Sequence, residues 1–129
     1  MKGLLDTSVL VGLETGRSLA DLPDEAAVSV ITLEELTLGV LMAEHRGEAG
    51  LAQRRRDTLD AVSGAFEALP VTSAVALACA AIRARGRAVG LRFGPFDSLI
   101  AATAVAADLP LFTQDAELAD LPGVDVRLV

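Results

Sequence analysis

The strongest constraint on the fold is a repeated unit: a short apolar run that stops at an acid or hydroxyl residue and gives way to a helical stretch. Gly3-Leu4-Leu5-Asp6-Thr7-Ser8 sets the pattern. The apolar run reads as a buried strand, and Asp6 stands at its carboxyl end where the chain turns into a helix over Ser8 to Glu14, stopped by Gly16. Ala26 to Ile31 reads as a second strand, with Thr32 opening a helix that runs to about His45 and Thr32-Leu33-Glu34-Glu35 as a capping box. Leu51 to Phe66 is a further helix and Ala68 to Val71 a short strand. Ser73 caps a helix from Ala74 to about Arg87 whose apolar side follows Leu77, Ala78, Ala81 and Ile82. After a loop over Gly86 to Gly94, Asp97 opens a helix with Leu99, Ile100, Thr103, Ala104 and Ala107 on one face. Leu111 to Thr113 is a strand, Asp115 begins a helical turn through Leu118, and Val124 to Val129 is the last strand. Strands alternating with helices predict an α/β fold, a mainly parallel β-sheet flanked by helices. With 129 residues, one domain over 1–129 is expected.

Aromatic residues are only 3% of a chain that is 52% hydrophobic, so the core must be built from Leu, Val, Ile and Ala, with apolar surface to spare for a partner. The longest apolar stretches, such as Ala74 to Ile82, fall short of the roughly 20 residues that span a bilayer. Asp6 interrupts the apolar region a secretory signal requires. Cys79 is the single cysteine, which leaves no disulfide framework or thiolate cluster and is expected to be a buried, inert thiol. A reducing cytoplasm is the compartment expected. The net charge of −7 argues against nucleic-acid binding through the whole surface, so a nucleic-acid substrate would need local reversal of sign by a metal or by clustered arginines. Lys2 is the only lysine, and a phosphate-binding loop of the Gly-Lys-Ser/Thr type is absent.

Four acids recur at comparable places: Asp6 after the first strand, Glu35 early in the helix after the second, Asp97 at a helix start and Asp115 after the Leu111 to Thr113 strand. In a parallel sheet the strand ends that lead into helices lie along one edge, so the four carboxylates can converge on one cleft. Each also has a plain explanation as a helix cap, Glu35 through its capping box. Gathered together, however, they repel one another, and a hard cation held by oxygen ligands is the usual remedy. With no Cys pair and His45 alone, expected to be a solvated surface residue, the donor set favours Mg²⁺ or Mn²⁺ over zinc. A cation held this way suits phosphoryl chemistry by activated water.

Leu4-Leu5-Asp6-Thr7-Ser8, Ser29-Val30-Ile31-Thr32 leading to Glu35-Leu36 and Gly39, Asp97-Ser98-Leu99-Ile100-Ala101-Ala102-Thr103-Ala104, and Thr113-Gln114-Asp115 together resemble the PIN-domain family, in particular VapC-type toxin ribonucleases. The resemblance covers essentially the whole chain in order. It implies a metal-dependent endoribonuclease acting on RNA, a homodimer, and a cognate antitoxin whose tail occupies the active-site groove. Asp6, Glu35, Asp97 and Asp115 match the family's catalytic and metal-holding acids. Ser8 matches a position that helps hold metal-bound water, and Thr113 a hydroxyl beside the fourth acid. Periodicity does not choose between Glu34 and Glu35; the family context favours Glu35. Where members often carry an aromatic residue shortly after the fourth acid, this chain has Glu117-Leu118, which points to Asp115 as an outer ligand.

Arg83, Arg87 and Arg92 precede Asp97 and are candidate contacts to substrate phosphates, whereas Arg54-Arg55-Arg56 reads as a solvated helical face. Leu38 to Ala43 is more apolar than one buried face requires and is expected to form part of an antitoxin or dimer interface. Two other classes fit an acidic α/β domain: a phospho-receiver module, which would need a lysine beside the acids, and a non-catalytic partner-binding domain in which the acids only cap helices.

Overall fold

The strand at the amino terminus, β1 (Lys2–Leu5), is the centre of the sheet. The computed structural model describes residues 1–129. After β1 come α1 (Thr7–Glu14), β2 (Glu25–Ser29), α2 (Val30–His45), α3 (Ala49–Ala65) and β3 (Glu67–Leu69). Then follow α4 (Ser73–Ala88), α5 (Pro95–Ala106), β4 (Leu111–Thr113), a 3₁₀ turn over Ala116–Asp120 and β5 (Val126–Leu128). All five strands are parallel, in the order β3-β2-β1-β4-β5. The chain thus winds outward from β1 through β2 and β3, then returns to the other side of β1 for β4 and β5. That reversal makes the boundary between β1 and β4 a topological switch point, where open α/β sheets leave a crevice beyond their carboxyl ends.

Alternation along the strands divides the core. Leu4, Ala27 and Leu111 point to the face covered by α4 and α5, packing with Cys79, Ile82, Ile100 and Leu118. Their neighbours Leu5, Val28 and Phe112 point to the opposite face, with Val9, Leu10, Leu36 and Val62 from α1, α2 and α3. Helix α5 is buried over most of its circumference through Ser98 and Ile100 to Ala104, where small side chains permit close approach to the sheet and α4. Cys79 is buried, as expected. No helix is long and apolar enough to cross a membrane.

Gly3 lies against the ring of Phe112: a Cβ there would fall 2.4 Å from Phe112 Cε2. Gly3→Ala is therefore expected to destabilise the fold by about 1–3 kcal/mol through overpacking. A lower urea midpoint at unchanged m-value, partly restored by Phe112→Leu, is the result to look for; a wild-type midpoint would mean the ring has room to move.

Several local expectations are corrected. The second strand ends at Ser29, whose hydroxyl accepts from Ile31 N at 3.1 Å, so Val30 and Ile31 belong to α2 and Thr32 is inside the helix. Thr72 caps α4, Ser73 being its first residue. Asp97 is the third residue of α5, behind Gly94 and Pro95, and does not open it. The buried stripe of α4 is Val75, Cys79, Ile82 and Gly86, and Leu77 is 73% exposed. Of the 54–56 arginines only Arg54 is a solvated residue without a side-chain partner: Arg55 Nη1 donates to Gly39 O at 2.9 Å and Arg56 pairs with Glu44, joining α3 to α2.

Candidate metal centre at the sheet switch point

Asp6 leaves β1 at the switch point and is 4% exposed. It occupies the N-cap position of α1 but makes no capping bond. Instead its Oδ2 accepts from Ser8 Oγ at 2.7 Å and from Thr113 Oγ1 at 2.8 Å, so the end of β4 grips the end of β1. A hydroxyl has one proton. Both protons are committed to Asp6, and the two hydroxyls are free to accept: Ser8 Oγ takes Gln114 N at 3.0 Å and Thr113 Oγ1 takes Asp115 N at 3.0 Å. Two backbone N–H groups are thereby relayed onto one carboxylate oxygen. Asp6 Oδ1 accepts nothing within the protein and, since no buried polar atom lacks a partner, it reaches solvent. Ser8 therefore orients Asp6.

Glu35, half-buried, accepts from Thr7 Oγ1 at 2.7 Å. Thr7 Oγ1 in turn lies 3.0 Å from Thr32 Oγ1, and with the Thr7 proton spent on Glu35, Thr32 is the donor. The neighbouring Glu34 is exposed and makes no such bond. Glu35 is thus the acid that faces the cleft, and Thr7 and Thr32 are supports that the sequence reading missed. The signal was a hydroxyl next to Asp6, legible only once α1 and α2 are known to meet.

Asp97 is half-buried on the first turn of α5 and accepts no hydrogen bond from the protein. Asp115 caps the 3₁₀ turn, its Oδ1 accepting from Glu117 N at 2.9 Å. The cap explanation accordingly accounts for Asp115 and fails for the other three. Burial holds the Glu35 carboxyl above the usual carboxylate range, opposed by the Thr7 hydrogen bond and reinforced by repulsion from Asp6, Asp97 and Glu34. Asp97 is raised in the same way, by burial first and then by Asp6, Asp115 and Glu117. Asp6, Glu35 and Asp97 thus lie within electrostatic reach of one another and Asp115 within reach of Asp97, yet none takes part in an ion pair; the paired acids are Asp24, Glu44, Glu48, Glu67 and Asp125.

A set of carboxylates, Asp6 buried and the others half-buried, with open oxygens and no ion-pair partner fits a hard divalent cation. No three of them are drawn together into a closed cluster. Mg²⁺ does not require such a cluster, being commonly held by one or two carboxylates and keeping several waters. Asp97 has both oxygens open to a cation, while Asp6, Glu35 and Asp115 each keep one oxygen that accepts no hydrogen bond. Lys2 is at the far end of β1, 3.5 Å from Glu67, so the lysine a phospho-receiver requires is missing from the cleft.

Arg83, Arg87 and Arg92 line one cleft of about 140 Å³ with Leu91 and Phe93, and none is ion-paired. The loop carrying Arg92 leads directly into α5 and Asp97. His45 is exposed at the end of α2.

Fold and site together define an open parallel α/β domain with unpaired carboxylates at its switch point. The PIN domain family model matches residues 3–124, and the chain belongs to that family. It is similar to Ribonuclease VapC8 of Mycobacterium tuberculosis, 45% identical over 104 residues that cover 79% of this chain and 89% of that protein. Ribonuclease VapC4 of the same organism is 42% identical over 127 residues, 97% of this chain and 95% of that one. Among solved structures, VapBC-5 of Mycobacterium tuberculosis, from the VapBC family of toxin–antitoxin systems, superposes with a TM-score of 0.81 at 35% identity, covering 99% of this chain and 97% of that chain.

Proposed function

We propose that this chain is a divalent-metal-dependent endoribonuclease and the toxin of a toxin–antitoxin pair. The observation that carries the reading is the unpaired acidic cleft at the switch point, in which Asp6, Glu35 and Asp97 have no capping role to explain them. The relatives named ribonucleases match over most of their length and of this chain. Bound Mg²⁺ or Mn²⁺ would supply an activated water and neutralise charge on the scissile phosphodiester. The protein's own part is positional. Ser8 and Thr113 fix Asp6 so that Oδ1 is presented outward, Thr7 holds Glu35, and Asp97 leaves both oxygens free. Arg83, Arg87 and Arg92, with no acidic partners, are the phosphate contacts of the RNA beyond the cleft. Such an enzyme works where RNA is, in the cytoplasm.

The partner reading rests on α2. Leu38, Leu41 and Met42 are each nearly half exposed, and Leu38 and Leu41 border a groove of about 350 Å³ with Leu33, Glu34 and Thr37. An apolar helix face of this kind is the surface offered to a cognate antitoxin or to a second copy in a homodimer.

Purified chain incubated with single-stranded RNA is expected to cleave it in Mg²⁺ or Mn²⁺, to stop with EDTA and to recover on adding back excess metal. Cleavage that persists in EDTA would remove the metal-dependent reading. Failure to cleave any RNA together with no Mn²⁺ binding would favour a partner-binding domain.

A further inference from the structure

A second cleft, of about 350 Å³, opens beside the acidic site and is lined by Ser8, Gly12, Thr15, Arg17, Gln114 and Asp115. Two glycines, Gly12 in its wall and Gly16 behind Arg17, position its side chains. At the end of α1, Gly16 takes the left-handed conformation (φ 80°), with Gly16 N donating to Leu13 O and Arg17 N to Gly12 O at 2.9 Å, a closure that fixes where Arg17 leaves the helix. Gly12 gives room to Gln114, because a Cβ there would fall 2.6 Å from Gln114 Oε1. The two side chains meet: Arg17 Nη1 donates to Gln114 at 3.1 Å. An arginine can only donate, so the atom it meets is Oε1. Gln114 Nε2 then carries two N–H groups with no acceptor in the protein, and it reaches solvent because no buried polar atom lacks a partner. Arg17 itself has no carboxylate partner, although the chain carries net charge −7 and Asp115 lines the same cleft. An unpaired guanidinium and an amide with its orientation locked are thus held together next to Ser8 and Asp115. The volume lies in the lower part of the range of small-ligand clefts, about 300–1,000 Å³, and suits one nucleotide unit.

We propose that this cleft is a nucleotide subsite flanking the scissile bond, in which Arg17 holds an RNA phosphate and the Gln114 amide reads a hydrogen-bond acceptor on the adjoining base. The proposal rests on the ribonuclease reading. The amide offers donors, so it favours a base edge with a carbonyl oxygen or ring nitrogen and disfavours an amino group there. Gly12 and Gly16 are positioning residues.

The test separates binding from cleavage. Affinity is measured by anisotropy with a short fluorescein-labelled single-stranded RNA of mixed sequence, on an Asp97→Asn background in Mg²⁺ over a range of salt. Arg17→Gln is expected to weaken binding about tenfold, as loss of a charge-assisted contact does, and to lower the salt slope by about 0.7. Cleavage is followed on total RNA by sequencing the new ends. Wild-type ends are expected to favour one base class at a position beside the cut, and Gln114→Ala to erase that preference among the metal-dependent ends that it still yields. Gly12→Ala, which displaces Gln114, should reproduce the Gln114→Ala pattern. An unchanged salt slope for Arg17→Gln overturns the phosphate contact. Wild-type ends without preference, or a preference that survives Gln114→Ala, overturn the base contact. If the wild type cleaves while the variants match it in every respect, the subsite falls and the nuclease stands; if RNA binding depends on Arg17 but no cleavage occurs, the nuclease falls and the phosphate contact stands.

Discussion

Asp97→Asn is expected to lower RNA cleavage by about a thousandfold or more while raising the melting temperature of the metal-free protein. The loss follows from removing the one acid of the four with both oxygens unencumbered, because a divalent cation supplies several kcal/mol of transition-state stabilisation and about 4 kcal/mol corresponds to three orders of magnitude. The gain in stability is the diagnostic part. As an acid in the first turn of α5, Asp97 would by itself favour the helix by about 0.3–1 kcal/mol through the helix dipole, and a structural acid replaced by Asn would therefore cost stability. Burial and repulsion from Asp6, Asp115 and Glu117 act in the opposite direction and hold its carboxyl above the ordinary range. A neutral isostere relieves both. Thermal melts in EDTA, paired with single-turnover cleavage in Mg²⁺, measure the two effects. A variant that melts lower and cleaves normally would make Asp97 a structural residue and dissolve the proposed centre.

Asp6 would be a less clean test. Its Oδ2 receives two hydroxyl hydrogen bonds, one from Ser8 at the start of α1 and one from Thr113 that ties it to β4, so Asp6→Asn alters the packing at the switch point as well as the cleft. The same bonds explain how much of the site was legible in the sequence. Strands carry their faces in an alternation of two, so Leu4 and Leu5, and Leu111 and Phe112, announced a sheet covered on both sides and an acid at its carboxyl edge. Which hydroxyl serves which acid depends on residues about a hundred positions apart, and no local pattern encodes that: Thr113 and Ser8 meet only after β4 pairs with β1.

Helix registers were read less well for a related reason. In α2 the run Val28-Ser29-Val30-Ile31 has strand character throughout, and the boundary is set by the Ser29 hydroxyl on Ile31 N rather than by side-chain preference. In α4 every face is rich in Ala, and the stripes through Leu77 and through Val75 are equally apolar in sequence; packing against α5 selects the second. Glu34 and Glu35 present the same problem at the site itself. Their helix buries Thr32, Leu36, Val40 and Ala43 and leaves Leu38, Leu41 and Met42 out, so hydropathy could not orient it, and the deciding contact is Thr7 on a different helix. The arginines divide likewise: Arg55 and Arg56 spend their donors between α2 and α3, whereas Arg17, Arg83, Arg87 and Arg92 keep theirs free of acids.

The second large expected effect is a reversal of pH dependence by metal. Glu35 and Asp97 bind protons more tightly in the folded chain than in the unfolded one. In EDTA, their contribution to stability is therefore fully present below the ordinary carboxylate pKa and is lost as pH rises through the raised folded values. A cation in the cleft changes the sign, because it binds the ionised forms. Added Mg²⁺ should then do little in acid and stabilise increasingly as pH climbs through the same window, reaching about 2.7 kcal/mol when its concentration is a hundred times the dissociation constant. Within that window each carboxyl that must lose its proton lowers apparent affinity about tenfold per pH unit, so two coupled groups approach a hundredfold. Melts across pH with EDTA and with Mg²⁺ should converge in acid and diverge toward neutrality, and calorimetry in buffers of different ionisation enthalpy should register proton release on Mg²⁺ binding at mildly acidic pH. Parallel curves would mean that the cation binds away from Glu35 and Asp97. Their repulsion would then be a cost that the fold carries without return.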